Sequence, residues 1–163
     1  MIDARIVFRG LPFVVALALA GCDGGDEDEA EDDGDDAPTN DCSTETRDDT
    51  YMLGLTKVGE QVQVKFVDAV PAPPMIEDNI WTVEVLDMND APMEGMAIDV
   101  TPFMPLHQHG TTVIAHVEPG AVPGQYVIDP VNMHMAGLWE ITLDITLPDT
   151  TTDSVMFTFC IDP

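Results

Sequence analysis

Three patterns predict an all-β protein, an antiparallel β-sandwich: apolar and polar residues alternate with a period of two in several segments, Gly and Pro punctuate the chain between them, and no segment has a convincing helical period. Seven or eight strands of the immunoglobulin-like kind are expected, because short strands with turn signals at this spacing favour two packed antiparallel sheets. The packed part is predicted to run over residues 42–163, about the commonest size for one domain.

Residues 1–21 carry Arg5 and Arg9 and then the apolar run Leu11 to Ala20. That run is too short to cross a bilayer as a stable helix and reads as a secretory signal. It ends in Leu19-Ala20-Gly21-Cys22, which resembles the bacterial lipoprotein signal. The resemblance implies that Cys22 becomes the first residue of the mature protein, with a diacylglyceryl thioether and an acylated amine. Several acyl chains on one residue suffice for stable anchoring. The protein is therefore expected in the bacterial cell envelope, lipid-anchored and facing the periplasm or the cell surface. The alternative is a secreted protein cleaved nearby, with Cys22 left as a thiol.

From Asp23 to Asp41 the chain holds 11 acidic residues and no basic ones. With no apolar surface to bury and strong self-repulsion, residues 22–41 are expected to form a disordered tether. No EF-hand pattern occurs among these carboxylates, so they read as a solvated spacer.

Within the domain, Val62, Val64 and Phe66 alternate with Gln61, Gln63 and Lys65, the pattern of a sheet with one buried face. Trp81, Val83 and Val85 repeat it. Shorter candidates follow at Met96 to Phe103, Thr111 to Val117 and Gln125 to Ile128. Trp139, Ile141, Leu143, Ile145 and Leu147 alternate with Glu140, Thr142, Asp144 and Thr146, which makes this the clearest strand and Trp139 a core residue. Leu147 to Asp153 is predicted to be a hairpin connection, because Pro148 and Asp149 suit a turn. Val155, Phe157, Phe159 and Ile161 form the last strand.

Asp and Glu number 31 against five Lys and Arg, a net charge of −26. Such a chain repels nucleic acid and has no basic patch for phosphates. A monomer is expected. With Cys22 assigned to lipid, Cys42 and Cys160 remain, and an oxidising compartment favours one disulfide between them over two separate thiols. Enzyme chemistry has little support. The two serines, Ser43 and Ser154, lie outside any Gly-x-Ser-x-Gly elbow, and no Cys-x-x-Cys or His-Glu-x-x-His occurs.

The one chemically biased stretch is Met104 to Trp139. Its two ends hold Met104, His107 and His109, then Met133, His134 and Met135. In extended chain, His107 and His109 project from one face about 7 Å apart and can share an ion. Thioethers select Cu(I) and imidazoles accept several ions, so the mixture points to copper. The bland roles stand beside this. Methionine is mostly a core filler, and in a strand at 133–135 the two thioethers face away from His134 unless the strand ends there. His116 alternates with Val113, Ala115 and Val117 and is expected to face solvent.

The succession Met104-Pro105-x-His107-x-His109-Gly110, then Pro119-Gly120, Gly124-x-Tyr126 and Met135-x-Gly137-x-Trp139, resembles the YtkA-like domain, and FixH proteins share a similar layout. The resemblance covers roughly residues 50–161. It implies an immunoglobulin-like sandwich in families often associated with copper handling or oxidase assembly, and it carries over Met104, His107, His109, Met135, Gly137 and Trp139. Leu106 departs from the commoner Met-Gly-His form. Two functions follow: a membrane-tethered lipoprotein that binds copper for buffering or for transfer to a donor or acceptor protein, or a structural or protein-interaction sandwich without metal.

Overall fold

The computed structural model describes residues 41–163. The expected secretory signal, Cys22 and the expected tether up to Asn40 lie outside the described residues. A single 3-10 turn, Cys42–Thr44, is capped by the Asp41 carboxylate, which accepts from the Ser43 N–H. Nine strands follow: β1 Thr56–Val58, β2 Val62–Val70, β3 Glu77–Asp87, β4 Ala97–Met104, β5 His109–Gly110, β6 His116–Pro119, β7 Gln125–Met133, β8 Gly137–Thr146 and β9 Thr152–Ile161. They form two antiparallel sheets, β1-β2-β3-β7-β6 and β5-β4-β8-β9, the immunoglobulin-like sandwich that alternation predicts.

The inward residues are those the period of two selects. Val62, Val64 and Phe66 of β2, Trp81, Val83 and Val85 of β3, and Trp139, Ile141, Leu143 and Ile145 of β8 are fully buried. Phe66 lies edge-on to Trp81 at 5.0 Å and to Phe157 at 5.7 Å, the T-shaped geometry that aromatic quadrupoles favour. Residues 147–151 turn between β8 and β9, with Asp149 accepting from the Thr151 N–H and hydroxyl.

Two of the nine strands, β1 and β5, span three and two residues, too few to show alternation. The strand expected over Thr111 to Val117 begins only at His116. Before it, the Val113 N–H donates to the Thr111 hydroxyl, a local bond that replaces ladder pairing.

Two cross-links join distant parts of the chain. A disulfide joins Cys42 to Cys160, 118 positions apart, with Cα atoms 5.5 Å from each other. At the other end of β9, the Asp153 carboxylate accepts the N–H groups of Glu60, Gln61, Val62 and Ser154 at 3.1, 2.7, 2.9 and 2.8 Å. This side chain pins the β1–β2 turn of one sheet onto the last strand of the other. Burial alone would raise its pKa, but the four N–H bonds outweigh burial and lower it.

Because the folded pKa of Asp153 lies below the unfolded one, its contribution is present above the usual carboxylate range and is lost as pH falls through the folded value. Asp153→Asn is expected to cost about 2 to 4 kcal/mol at neutral pH and to flatten the acid limb of stability, measured by urea unfolding from pH 7 to pH 2. Reducing Cys42–Cys160 is expected to remove about 4 to 5 kcal/mol in the chain-entropy account, read from the same unfolding curves with and without reductant.

Candidate metal centre

At one end of the sandwich, β4 stops at Met104 and a four-residue turn, Pro105 to Gln108, leads into β5. Gln108 takes the left-handed conformation, φ 55°, and its side-chain amide donates to the Pro105 carbonyl, closing the turn. His107 therefore sits in a turn and not on an extended strand as expected. The turn brings its ring centre within 5.7 Å of that of His109. His109 opens β5 directly across the ladder from Met104.

His109 can reach this position because residue 110 is glycine. A Cβ there would stand 2.6 Å from the Pro102 carbonyl oxygen, closer than atoms tolerate. The His109 Nδ1 lies 3.2 Å from the Gly110 carbonyl oxygen. A carbonyl only accepts, so this bond requires the proton on Nδ1 and leaves the Nε2 lone pair free. Metal-binding histidines are commonly oriented in this way.

The third imidazole comes from the other sheet. β7 ends at Met133, so His134 is released from strand alternation and stands exposed in the crossing to β8. Gly137, at φ 121°, turns the chain into β8, a conformation that a side chain would strain. Two residues on, the fully buried Trp139 donates its Nε1–H to the Met135 carbonyl at 2.9 Å and holds the crossing in place. The indole meets His134 at 5.3 Å and His109 at 6.4 Å, and those two imidazoles lie 5.4 Å apart and 26° from parallel.

His109 and His134 thus meet on one buried indole, and His107 stands beside His109. The thioethers are placed differently. Met104 and Met133 are fully buried in the core, while Met135 is half-buried against it. His116 is exposed on β6. As the side chains stand, no group of three or more His, Cys, Asp or Glu that could hold a metal ion is present among the described residues.

Beside His134 lies a hollow of about 320 Å³, lined also by Glu77, Gly110, Thr111, Val113 and Asn132. The nearly buried Asn132 amide donates to Asp78 at 2.7 Å and accepts from the Thr111 hydroxyl at 2.7 Å, tying β3, β7 and the exit of β5 together. Sequence reasoning missed this hub. The available signal was an asparagine in the middle of an apolar run, where a strand disfavours it.

Residues 56–144, more than half of the chain, match the YtkA-like family. No curated protein matches the sequence. Among solved structures, a DUF4426 family protein from Pseudomonas aeruginosa is similar at 10% identity and a TM-score of 0.50, over 67% of this chain and 97% of its own. FetP from uropathogenic Escherichia coli strain F11 aligns at 12% identity and TM-score 0.45, over 68% and 95%. PcoC, a methionine-rich copper resistance protein from Escherichia coli, aligns at 20% identity and TM-score 0.39, over 61% and 98%. The first of these likenesses is one of fold.

Gly110→Ala is expected to push β5 off β4, costing about 1 to 3 kcal/mol as overpacking does. Thermal unfolding gives the stability. Loss of the ring-current shifts that Trp139 imposes on the His109 and His134 proton resonances would report the displaced imidazoles.

Proposed function

The chain belongs to the YtkA-like family, and from that premise we propose that it is a membrane-tethered envelope lipoprotein whose sandwich binds copper for buffering or transfer. The observation that carries this reading is the meeting of His109 and His134, from two sheets, on Trp139, with His107 beside His109. Two imidazoles bound to one ion hold their ring centres about 5 to 6 Å apart, given metal–nitrogen bonds near 2 Å. The His107–His109 and His109–His134 separations of 5.7 and 5.4 Å lie in that range, so each pair has the spacing of two imidazoles on one ion. His109, with Nδ1 committed to a carbonyl, offers Nε2. Met135 is a half-buried thioether next to His134 in the chain, and Met104 faces His109 across the ladder.

Copper here is cargo. Imidazole accepts either oxidation state and thioether favours the reduced one, so a mixed set at an open rim suits release to an acceptor protein. The Leu19-Ala20-Gly21-Cys22 sequence and the Cys42–Cys160 disulfide support an oxidising envelope compartment. A sandwich serving structure or protein interaction without metal is the second reading. It is favoured by the complete burial of Met104 and Met133, where thioethers fill core volume.

Titrated with Cu(I) against a competing chelator, the full chain is expected to bind one ion, and His107→Ala/His109→Ala to bind at least about a hundredfold more weakly, more than loss of a supporting residue costs. The Tm of the wild type should rise with copper, since binding to the folded state alone stabilises it. Copper binding by the wild type no tighter than the variant's would remove the histidine site, and no binding by either would favour the second reading.

A further inference from the structure

Glu77 is the first residue of β3, and it occupies the left-handed region at φ 80°, which a side chain of its kind rarely adopts. The strain is held in place by a neighbour. Asn79, fully buried, accepts the Met75 N–H at 2.9 Å and donates its amide to the carbonyls of Met75 and Glu77 at 2.8 and 3.0 Å and to that of Val131 at 3.3 Å. Backbone strain that the surroundings enforce in this way concentrates at functional positions. The enforced conformation sets Glu77 opposite Met133 in the ladder, one residue before His134, and both Glu77 and His134 line the same hollow.

The Glu77 side chain is exposed, and among the described residues none bonds to its carboxylate. The three Lys and Arg side chains of those residues are occupied elsewhere: Arg47 with Glu45, Lys57 with Asp49 and Lys65 with Glu84. A carboxylate with no cationic partner, on a surface of strong negative charge and in the same hollow as His134, is a hard oxygen donor suited to a divalent ion.

We infer that Glu77 is an oxygen ligand for the divalent ion at the histidine cluster, so that the site holds Cu(II) through imidazoles and Glu77 and Cu(I) without it. This rests on the copper-binding reading and adds to it a residue and a preference of oxidation state. The carboxylate matches the harder Cu(II), and its charge offsets part of the divalent charge, whereas Cu(I) gains little from a hard anionic oxygen.

The test measures Cu(II) and Cu(I) affinities of the full chain by chelator competition, for the wild type, Glu77→Gln and Glu77→Gly. Gln keeps the shape and removes the charge; Gly relieves the backbone strain and should raise Tm. Both variants are expected to weaken Cu(II) by about ten- to a hundredfold while Cu(I) changes less than about twofold. The Cu(II) electron paramagnetic resonance spectrum should change in both, because the anionic carboxylate is lost in each. Wild-type binding of Cu(II) with no selective loss in the variants would overturn the role of Glu77 and leave the histidine site standing. Absence of copper binding by the wild type would overturn both.

Discussion

Of the two fully buried indoles, Trp81 leaves its N–H without a partner while Trp139 finds an acceptor, and at the histidine end of this sandwich that one bond organises the chain around it. Trp139 is fully buried, and its Nε1–H goes to the carbonyl of Met135, four residues earlier in the chain. The crossing from β7 to β8 therefore has to fold back over the indole. The left-handed Gly137 permits this, and the end of β7 at Met133 frees His134 to stand at the rim. The same ring receives His109 from the other sheet, where the tight approach of Gly110 to Pro102 sets the position of β5. Core packing and placement of the imidazoles are thus one problem with one solution.

Side-chain amides hold the irregular segments around this end, Asn79 and Gln108 through backbone groups and Asn132 through the side chains of Asp78 and Thr111. Asn79 fixes the turn before β3, Asn132 links three segments, and Gln108 closes the turn that carries His107. Asn79 and Asn132 both donate and accept and Gln108 donates, so segments without regular pairing still have partners for their polar groups. Fixed amides surrounding adaptable imidazoles make a rim that keeps its shape while the rings turn.

Much of the fold was legible because its strands alternate cleanly. The period of two in Val62–Phe66, Trp81–Val85 and Trp139–Leu147 identified the buried faces residue by residue. The failures have local causes. Strands β1 and β5 are too short to show a period, and Thr111 spends its hydroxyl on Asn132 and Val113, which turns an apparent strand into irregular chain. At the site, sequence spacing identified the histidines but not their geometry, since a left-handed Gln108 cannot be read from residue type. Glu77 and Asn132 carried no motif. Their importance arises from tertiary register, which places Glu77 opposite Met133.

The Asp153 pin and the histidine rim lie at opposite ends of the sandwich. Gly137, at the start of β8, is beside the rim, while Thr146 at its far end pairs with Thr152, next to Asp153. Ten residues of strand separate them by on the order of 30 Å. The hairpin at 147–151 is consequently a handle: a fluorophore, spin label or immobilisation tag attached at Asp149 or Thr150, both exposed, would leave the imidazole end unobstructed in a surface or pull-down experiment.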